Sequence, residues 1–479
     1  MTALAELLVG RGVVVSGADT EERFYTDAIL AELGVEVFES FDPALVPADV
    51  EAVIYSAAYD PGSHPQLVRA LELGLRPQSY TEALGEISAT RFAAGIAGVH
   101  GKTTTAAMVG VLVRELQLPG AVLVGSAVAG FGGRSTYNGG DRFLVAETCE
   151  YKRHFLSFHP DVLLITGIEP DHLDYYRDLA DIKSAFADYA RRLSRGGALV
   201  YCADDAAASE VSRAVAAERP DISLVPYGHD AQGAYRLLSV TVGQGEISFR
   251  IEGWDGSFNL RVPGEHNALN AVAALAVTDQ LLARFAGRDT GAASEVRPSP
   301  PPDTGTASTV EPESRRLQQR ALAAFGGTRR RAEVLGEAAG VLFVDDYAHH
   351  PTAIVSTLAG LRAFHPDRRL IVDFMSHTYS RTAALLEQFA RSFVSADVVI
   401  LHKIYASARE RFDGNISGKM LADRTRIHHS DVRYFEEIMD AFDHVMDLLR
   451  PGDLFVTMGA GNNWQLGERL LAALKEKNA

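Results

Sequence analysis

One arrangement returns along the chain: an apolar run, then a cluster of polar and glycine residues, then a stretch with helical periodicity. It is seen in RFAAGIAGVHGKTTTAAMVGVLV, DVLLITGIEPDHLDYY, GVLFVDDYAHHPTAIVSTL, RLIVDFMSHTYSRTAALLEQFA and GDLFVTMGAGNNWQLGERLLAAL. Such alternation predicts the α/β class, with parallel sheets whose binding sites collect at the carboxyl ends of the strands. The polar clusters are therefore the first candidates for functional sites.

Size and charge narrow the classes of protein. At 479 residues the chain is too long for one hydrophobic core, so several domains are expected. Acidic residues outnumber basic ones by 62 to 46, and the net charge of -16 argues against nucleic-acid or anionic membrane partners. The 2 cysteines offer no disulfide framework, and no apolar run is long enough to cross a bilayer. A cytoplasmic protein without membrane insertion is expected.

The segment 287–315 differs in composition from the rest of the chain. It is rich in proline, serine, threonine and glycine and almost free of large apolar residues. Such a segment cannot bury enough surface to offset the entropy lost on ordering, so we expect a disordered insert or linker.

The most specific cluster is GVHGKTTT, between a predicted strand and a predicted helix. A glycine-rich turn in this place lets backbone N–H groups approach phosphate oxygens, and the helix N-terminus favours negative charge. Lys102 would reach the terminal phosphates, and the Thr103 hydroxyl would bind Mg²⁺. Ile96 stands where the general pattern G-x-x-x-x-G-K-S/T has glycine, so a plain glycine-rich helix start remains the alternative. The candidate ATP-binding residues here are Gly98, Val99, His100, Gly101, Lys102, Thr103 and Thr104.

Oxygen ligands for Mg²⁺ would have to come from other loops. Glu147 ends the apolar run FLVAE, and Glu150 lies three residues further on. The run VLLITGI is followed by Glu169, Asp171, His172 and Asp174. Taken alone, such residues are more often helix N-caps or solvated loop acids. Behind a phosphate-binding turn they become candidate ligands of a metal or a phosphate. The basic pair at 152 and 153 indicates only a solvated face.

Eight motifs in order carry a family resemblance: GVHGKTTT, AETCEYKRHF, GIEPDHLDYY, GEHNALNAVAA, RRRAEVLGE, DDYAHHPTAI, SHTYSRT and TMGAGNNW. Together they resemble the ATP-dependent Mur ligases of peptidoglycan synthesis, over nearly the whole chain apart from the proline-rich segment. The resemblance implies three domains: an N-terminal Rossmann-like domain for a UDP-sugar at 1–93, a central P-loop ATPase domain with a mostly parallel sheet at 94–326, and a C-terminal Rossmann-like domain for the amino acid at 327–479.

The resemblance also implies a reaction. ATP would phosphorylate the carboxylate of UDP-N-acetylmuramate to an acyl phosphate, and the amine of L-alanine would then displace phosphate. A related ligase that attaches a recycled tripeptide to the same sugar nucleotide shares most of the motifs and remains an alternative, as does an inactive homologue. A P-loop GTPase or kinase is disfavoured, because the C-terminal motifs would then have no function. The cofactors expected are ATP and Mg²⁺, and the protein is expected to be a monomer or a weak homodimer.

The resemblance assigns roles to residues of the central motifs. Thr103 and Glu147 would bind the magnesium of ATP, while Glu147 and His172 would contribute to a second metal site. The motif GEHNALNAVAA would contact the nucleotide, since side-chain amides both donate and accept hydrogen bonds; its residues are His266, Asn267 and Asn270. Helix capping is the alternative for these three.

The C-terminal motifs receive roles in the same way. Arg381 would pair with the alanine carboxylate, because a guanidinium matches the fork of a carboxylate. His349 is a candidate amino-acid contact and proton acceptor, and Tyr347 lies in the same motif. For each, an ordinary surface arginine or loop histidine is the alternative. The ATP side would be formed by Arg330, with Arg331 beside it, and by Asp345 or Asp346, of which Asp346 is preferred.

The start of the chain departs from the family pattern. Family members begin with a strand and a turn of the form G-x-G-G-x-G-M-S/T-A, whereas MTALAELL aligns with the end of that turn and the helix that follows. We therefore expect the strand and its glycines to be absent, the natural protein to be longer, and this form to bind UDP-N-acetylmuramate poorly. VVVSGAD indicates a short buried strand. The remaining candidate UDP-sugar contacts are Ser16, Asp19, Ser56 and Ala57.

Overall fold

A computed structural model of the protein describes residues 1–21, 25–172, 175–285, 311–406 and 414–478. The chain divides into two compact units. The first unit comprises Met1–Glu169, Leu179–Arg236 and Ala271–Ala321, and the second comprises Pro170–Asp178, Leu237–Asn270 and Leu322–Ala479. Across the described ranges, none of the helices combines the length and apolar character that a bilayer crossing requires.

Helices α1 to α15 of the described residues are Thr2–Val9, Tyr25–Glu32, Pro65–Glu72, Tyr80–Ala89, Lys102–Glu115, Leu179–Arg191, Ala206–Glu218, His266–Phe285, Pro312–Ala323, Pro351–Phe364, Tyr379–Ala384, Leu386–Ala390, Gly418–Thr425, Phe442–Leu448 and Trp464–Asn478. Strands β1 to β20 are Ser16–Ala18, Glu36–Phe38, Ile54–Tyr55, Gln78–Ser79, Phe92–Ala97, Gly120–Val128, Arg134–Asn138, Phe143–Glu147, Val162–Ile165, Ala198–Cys202, Ser223–Tyr227, Leu237–Gly243, Glu246–Ile251, Phe258–Leu260, Glu333–Ala338, Val341–Asp346, Arg369–Met375, Val398–Leu401, Val432–Tyr434 and Asp453–Gly459. Short 3₁₀ helices occupy Pro43–Leu45, Ala129–Phe131, Tyr151–Ser157 and Ile438–Ala441.

The main sheet of the first unit has the strand order β11-β10-β9-β5-β8-β6-β7. Its strands are parallel except for β7, which pairs antiparallel with β6 at one edge. The inner strands are apolar and buried, as expected for a parallel sheet covered on both faces. Because β5 lies between β8 and β9, the loops that follow these three strands meet at one edge of the sheet.

The N-terminal strands form two separate pairs, β1 with β2 and β3 with β4, each parallel. The predicted buried strand VVVSGAD is wrong in extent and in burial. Strand β1 covers only Ser16–Ala18, and Val13 and Val14 before it are 47% and 96% exposed. The physical reason is that, within the described residues, β1 has a hydrogen-bonded neighbour on one side alone, so no second strand helps to cover it.

Helix α1 forms where the helical spacing of its leucines predicts it. Leu4 and Leu7 are buried at 1% and 0% exposure. The Glu6 carboxylate accepts hydrogen bonds from the backbone N–H groups of Ser135 and Thr136 on β7, at 3.1 and 2.9 Å. Burial raises the pKa of Glu6 above its usual value, against the opposing effect of these two bonds. The helix is thus attached to the edge strand of the main sheet.

The second unit contains a six-stranded sheet with the order β15-β16-β20-β17-β18-β19, parallel except for β15. Alternate residues of β16 point to opposite faces. Val344 packs in a cluster with Leu358 of α10, and Phe343 packs in another with Leu470 of α15. Helices therefore cover both faces, which confirms the α/β fold class. The unit also contains an antiparallel sheet, β12-β13-β14, that the sequence did not predict.

Most of the predicted insert 287–315 lies outside the described residues, and its last part is described. There the prediction of disorder is wrong, because α9 begins at Pro312. A proline in the first turn, followed by the acidic Glu313, is a favourable helix start. The same helix buries Gln318 and Ala321, so tertiary packing outweighs its polar composition.

Candidate active site

The turn between β5 and α5 has the backbone that a phosphate-binding loop needs. Gly98 and Gly101 have φ values of 129° and 80°, which strain any residue with a side chain. A Cβ on Gly98 would lie 2.1 Å from the Thr166 hydroxyl oxygen, so only glycine fits there. Lys102 then begins a 14-residue helix whose N-terminus faces the turn. Backbone amides and helix dipole are thus placed together for an anion.

Lys102 is held by Glu150, a candidate metal or phosphate ligand that the structure instead pairs with the lysine. Its Nζ donates to the Gly98 carbonyl oxygen and to both carboxylate oxygens of Glu150, at 3.2 and 3.0 Å. The Glu150 side chain is 4% exposed. Burial acts to lower the pKa of Lys102, but the charge of Glu150 and the smaller effects of Cys149, of the hydrogen bond to Glu150 and of Glu147 together outweigh burial, and the pKa lies above its usual value. The lysine is therefore a fixed positive charge at the turn.

The two predicted magnesium ligands of the first unit lie together. The Thr103 hydroxyl donates to Glu147 Oε2 at 3.1 Å, and the Gly125 N–H donates to Glu147 Oε1 at 2.5 Å. A hydroxyl and a carboxylate oxygen are donors that Mg²⁺ prefers, so this pair fits the ion. Beside it, burial and the Glu147 charge raise the pKa of Tyr80 to about 12, which keeps the phenol protonated.

A cavity of about 230 Å³ opens beside Glu147 in the first unit. The predicted UDP-sugar contacts Ser56 and Ala57 line it. Ser16 and Asp19 are exposed, at β1 and directly after it, and the Asp19 carboxylate accepts from the Thr20 N–H at 2.8 Å. The other residues that line the cavity are Met1, Tyr80, Thr81, Leu84, Thr148, Cys149, His154, Phe155 and Phe158.

Two acidic residues of the motif GIEPDHLDYY contact other side chains, and Asp174 of the same motif lies outside the residues that the structure describes. In the first unit, His100 Nε2 lies 3.7 Å from Glu169 Oε2. In the second, Asp171 Oδ1 accepts from Arg381 Nη2 at 2.9 Å and from the His172 N–H at 2.7 Å. Burial opposes ionisation of Asp171, but the charges of His172 and Arg381 hold its pKa well below its usual value. Arg381, predicted to bind a substrate carboxylate, thus already holds a carboxylate of the protein.

The His349 imidazole is half-buried. Its Nδ1 lies 2.8 Å from the carbonyl oxygen of Tyr347. Because a carbonyl only accepts, Nδ1 carries the proton and Nε2 keeps the proton-accepting lone pair. Burial, and then the charge of Arg381, hold the pKa of His349 well below its usual value. The ring therefore has the protonation state of a base.

The acidic pair that ends β16 is used within its own unit. Arg330 Nε donates to Asp345 Oδ2 at 2.9 Å. Asp346 accepts from the backbone N–H groups of Ala332 and Ala348, both at 2.7 Å. Burial raises the pKa of both carboxyl groups. These contacts fix the loops around the strand end, and the ATP-binding role of Arg330 and Asp346 stays a prediction.

The GEHNALN motif makes contacts typical of a helix start. Asn267 Nδ2 donates to the Pro263 carbonyl oxygen at 2.7 Å, and Asn270 Nδ2 donates to Asn267 Oδ1 at 3.0 Å. His266 Nδ1 lies 2.8 Å from the Ser356 hydroxyl oxygen on α10. The side-chain amides are thus used inside the unit, and contact with a nucleotide stays a prediction.

Three models of protein families match successive parts of the chain. They are the Mur ligase family catalytic domain at 1–92, the Mur ligase middle domain at 96–278, and the Mur ligase glutamate ligase domain at 330–461. The chain is 48% identical to the UDP-N-acetylmuramate–L-alanine ligase of Treponema pallidum (strain Nichols), over 100% of this chain and 95% of the relative. This chain belongs to the Mur ligase family. A relative of the same name from Desulfitobacterium hafniense is 35% identical, covering 98% of this chain and 97% of its own length.

Solved structures share the Mur ligase fold. The UDP-N-acetylmuramate-alanine ligase of Thermotoga maritima matches with a TM-score of 0.75 at 23% identity, over 100% of this chain and 97% of that one. A murein peptide ligase of Psychrobacter arcticus matches with a TM-score of 0.65 at 22% identity, over 99% and 96%. The three-domain α/β architecture predicted from the motifs is thereby confirmed.

Proposed function

We propose that the protein is an ATP-dependent ligase that joins L-alanine to the carboxylate of UDP-N-acetylmuramate, a step in the synthesis of peptidoglycan precursors. One observation carries the proposal: Lys102 and the Thr103–Glu147 pair surround a glycine turn at the N-terminus of α5. The choice of substrates is supported by the 48% identity to the Treponema pallidum relative over the whole chain.

Activation of the carboxylate is the chemical reason for using ATP. A carboxylate is a poor electrophile, and transfer of the terminal phosphoryl group gives it a leaving group. Lys102 and the turn amides would stabilise the charge of the transferring group. Thr103 and Glu147 would hold Mg²⁺. The family resemblance implies that Glu147 and His172 contribute to a second metal site. When bound, Mg²⁺ neutralises phosphate charge.

The amine is the second reactant. His349 Nε2 would accept its proton, since the ring is neutral and its Nδ1–H is already bonded to Tyr347. Arg381 would bind the carboxylate of L-alanine through guanidinium N–H groups. The substrate carboxylate would then either bind the guanidinium together with Asp171 or replace Asp171 as the partner of Arg381.

The remaining assignments belong to the same proposal. The UDP-sugar contacts are Ser16, Asp19, Ser56 and Ala57, and the domains are 1–93, 94–326 and 327–479. The ATP contacts outside the turn are His266, Asn267, Asn270, Arg330 and Asp346. The protein would act in the cytoplasm, as a monomer or a weak homodimer.

Phosphate release with UDP-N-acetylmuramate and ATP tests the choice of acceptor. L-alanine, glycine, L-serine and the recycled tripeptide are compared under identical conditions. The proposal predicts the highest kcat/KM for L-alanine. A higher value for the tripeptide would replace it with a murein peptide ligase, and no acceptor-dependent release would contradict ligase activity altogether.

A further inference from the structure

Two consecutive residues after β8, Lys152 and Arg153, have left-handed backbones. Their φ and ψ angles are 51° and 26°, and 58° and 26°. Residues with side chains rarely adopt this conformation, and two in succession persist only where the surroundings hold them. The sequence indicated a solvated face here. Lys152 is indeed exposed, whereas Arg153 is partly buried and belongs to a constrained turn.

The Arg153 guanidinium is attached to helix α6. Its Nη2 donates to Asp181 Oδ1 at 2.8 Å, and its Nη1 donates to Asp188 Oδ2 at 2.9 Å. The two acids are seven residues apart, so they lie on one face of the helix. A planar guanidinium spans both, which a lysine ammonium does not do.

Phe155 gives the same segment an apolar attachment to α6. Its ring is 1% exposed. It stacks on Tyr189 with centroids 4.6 Å apart and meets Phe186 edge-on at 5.2 Å. The left-handed turn is therefore bound to α6 by charge and by packing.

The preceding part of the segment carries the site carboxylates. The Arg153 N–H donates to the Glu150 carbonyl oxygen at 2.9 Å. The Glu150 carboxylate pairs with Lys102, and the Glu147 carboxylate accepts from Thr103. A single short segment thus connects α6 to the phosphate-binding turn.

We propose that Arg153 is a positioning residue, whose two ion pairs with α6 maintain the left-handed turn that directs Glu147 and Glu150 toward Thr103 and Lys102. The inference rests on the proposed function, which gives these carboxylates a nucleotide and a divalent cation to act on. Arg153 acts through the two glutamates.

The test is binding of a fluorescent ATP analogue by the full chain, titrated with Mg²⁺, with thermal unfolding measured in parallel. For Arg153→Ala we expect the Mg²⁺ concentration for half-maximal binding to rise about ten- to a hundredfold, as for other residues that orient metal ligands. Arg153→Lys should recover part of this loss. The matched control is Arg219→Ala, which removes a guanidinium with the same 25% exposure and an ion pair of 2.7 Å to Asp221.

An unchanged Mg²⁺ dependence in Arg153→Ala, or an equal change in the control, would overturn the inference. If Arg153→Ala fails to fold, Asp181→Asn and Asp188→Asn replace it; each should raise the Mg²⁺ requirement by a smaller factor, and no change in either would overturn the inference. If the wild-type protein binds no nucleotide, the proposed function is overturned. If it binds the nucleotide but the Mg²⁺ dependence is the same with and without Arg153, this inference alone is overturned.

Discussion

At the residue scale, the pairing of Lys102 with Glu150 joins stability to catalysis. Both side chains are largely buried, at 17% and 4% exposure. Lys102→Ala removes the cation that neutralises the buried Glu150 carboxylate, and breaking a buried pair costs about 3–5 kcal/mol of unfolding free energy. It should also reduce ATP-dependent phosphate release about a hundredfold or more, because a preorganised charge is lost from the transferring group.

The double variant Lys102→Ala/Glu150→Gln separates the two effects. It also removes the Glu150 charge, so the denaturant unfolding midpoint should return toward that of the wild type. Phosphate release should stay low. Activity restored in the double variant would show that Lys102 serves only to neutralise Glu150.

His349 should affect stability through pH. The pKa of His349 is depressed in the folded state, so below about pH 6.5 His349 binds a proton in the unfolded chain but not in the folded chain. This histidine therefore adds to the loss of stability as pH falls below that value. His349→Asn keeps a donor for the Tyr347 carbonyl but does not titrate, so its melting temperature should fall less between pH 7 and pH 5 than that of the wild type. Equal losses in the two proteins would show that His349 does not contribute to the pH dependence of stability.

The same variant tests the proton acceptor. Turnover of His349→Asn should fall about a hundredfold or more, because the variant has no Nε2 to accept the proton of the amine.

The residues that could be predicted are those whose position follows from a regular element. Thr103 in the first turn of α5 and Glu147 at the end of β8 lie at the same end of the sheet by the order of helix and strand, and the structure brings them together. Glu150 lies beyond β8, where its direction depends on the left-handed pair at 152 and 153. No local pattern of basic residues predicts that conformation, because distant acids on α6 hold it.

At the element scale, Glu6 should determine how firmly α1 is attached to β7. Glu6→Ala leaves two buried N–H groups without their acceptor, which costs about 1–3 kcal/mol for each. The control is Glu32→Ala, whose carboxylate is 68% exposed and pairs with Arg134 on the same strand. That pair should contribute less than about 1 kcal/mol. Thermal unfolding of both variants measures these losses. A loss of stability in Glu6→Ala no larger than that in Glu32→Ala would contradict the attachment of α1 through Glu6.

Elements with one strong periodicity were predictable, and elements that depend on distant partners were not. The helix α1 and the strand-to-helix turn before α5 follow from local pattern. The alternation in EISFRI could have predicted β13, whose Ile247, Phe249 and Ile251 are buried. The extent of β1 depends on which strands lie beside it. The start of α9 was not predicted because the polar, proline-rich composition of the segment before it continues into the helix.

At the scale of the whole molecule, the order of the motifs predicted the architecture. Six of the eight motifs end or follow a strand of a mostly parallel sheet, so most of the list of motifs is also a list of strand ends. The other two are GEHNALNAVAA, which follows the antiparallel β14, and RRRAEVLGE, which contains the start of β15. The family assignment needed only this order. The roles of single residues need chemistry, because the structure uses several of them, such as Asn267 and Arg381, in contacts within the protein.

The central claim is that the carboxylate is activated by phosphorylation, and oxygen transfer tests it most directly. UDP-N-acetylmuramate labelled with ¹⁸O in its carboxylate is incubated with ATP, Mg²⁺ and L-alanine, and the released phosphate is analysed by mass spectrometry. An acyl phosphate leaves its bridging oxygen on phosphate when the amine attacks, so one labelled oxygen per phosphate is predicted. Unlabelled phosphate would contradict the account, because ATP would then have been hydrolysed without activating the carboxylate.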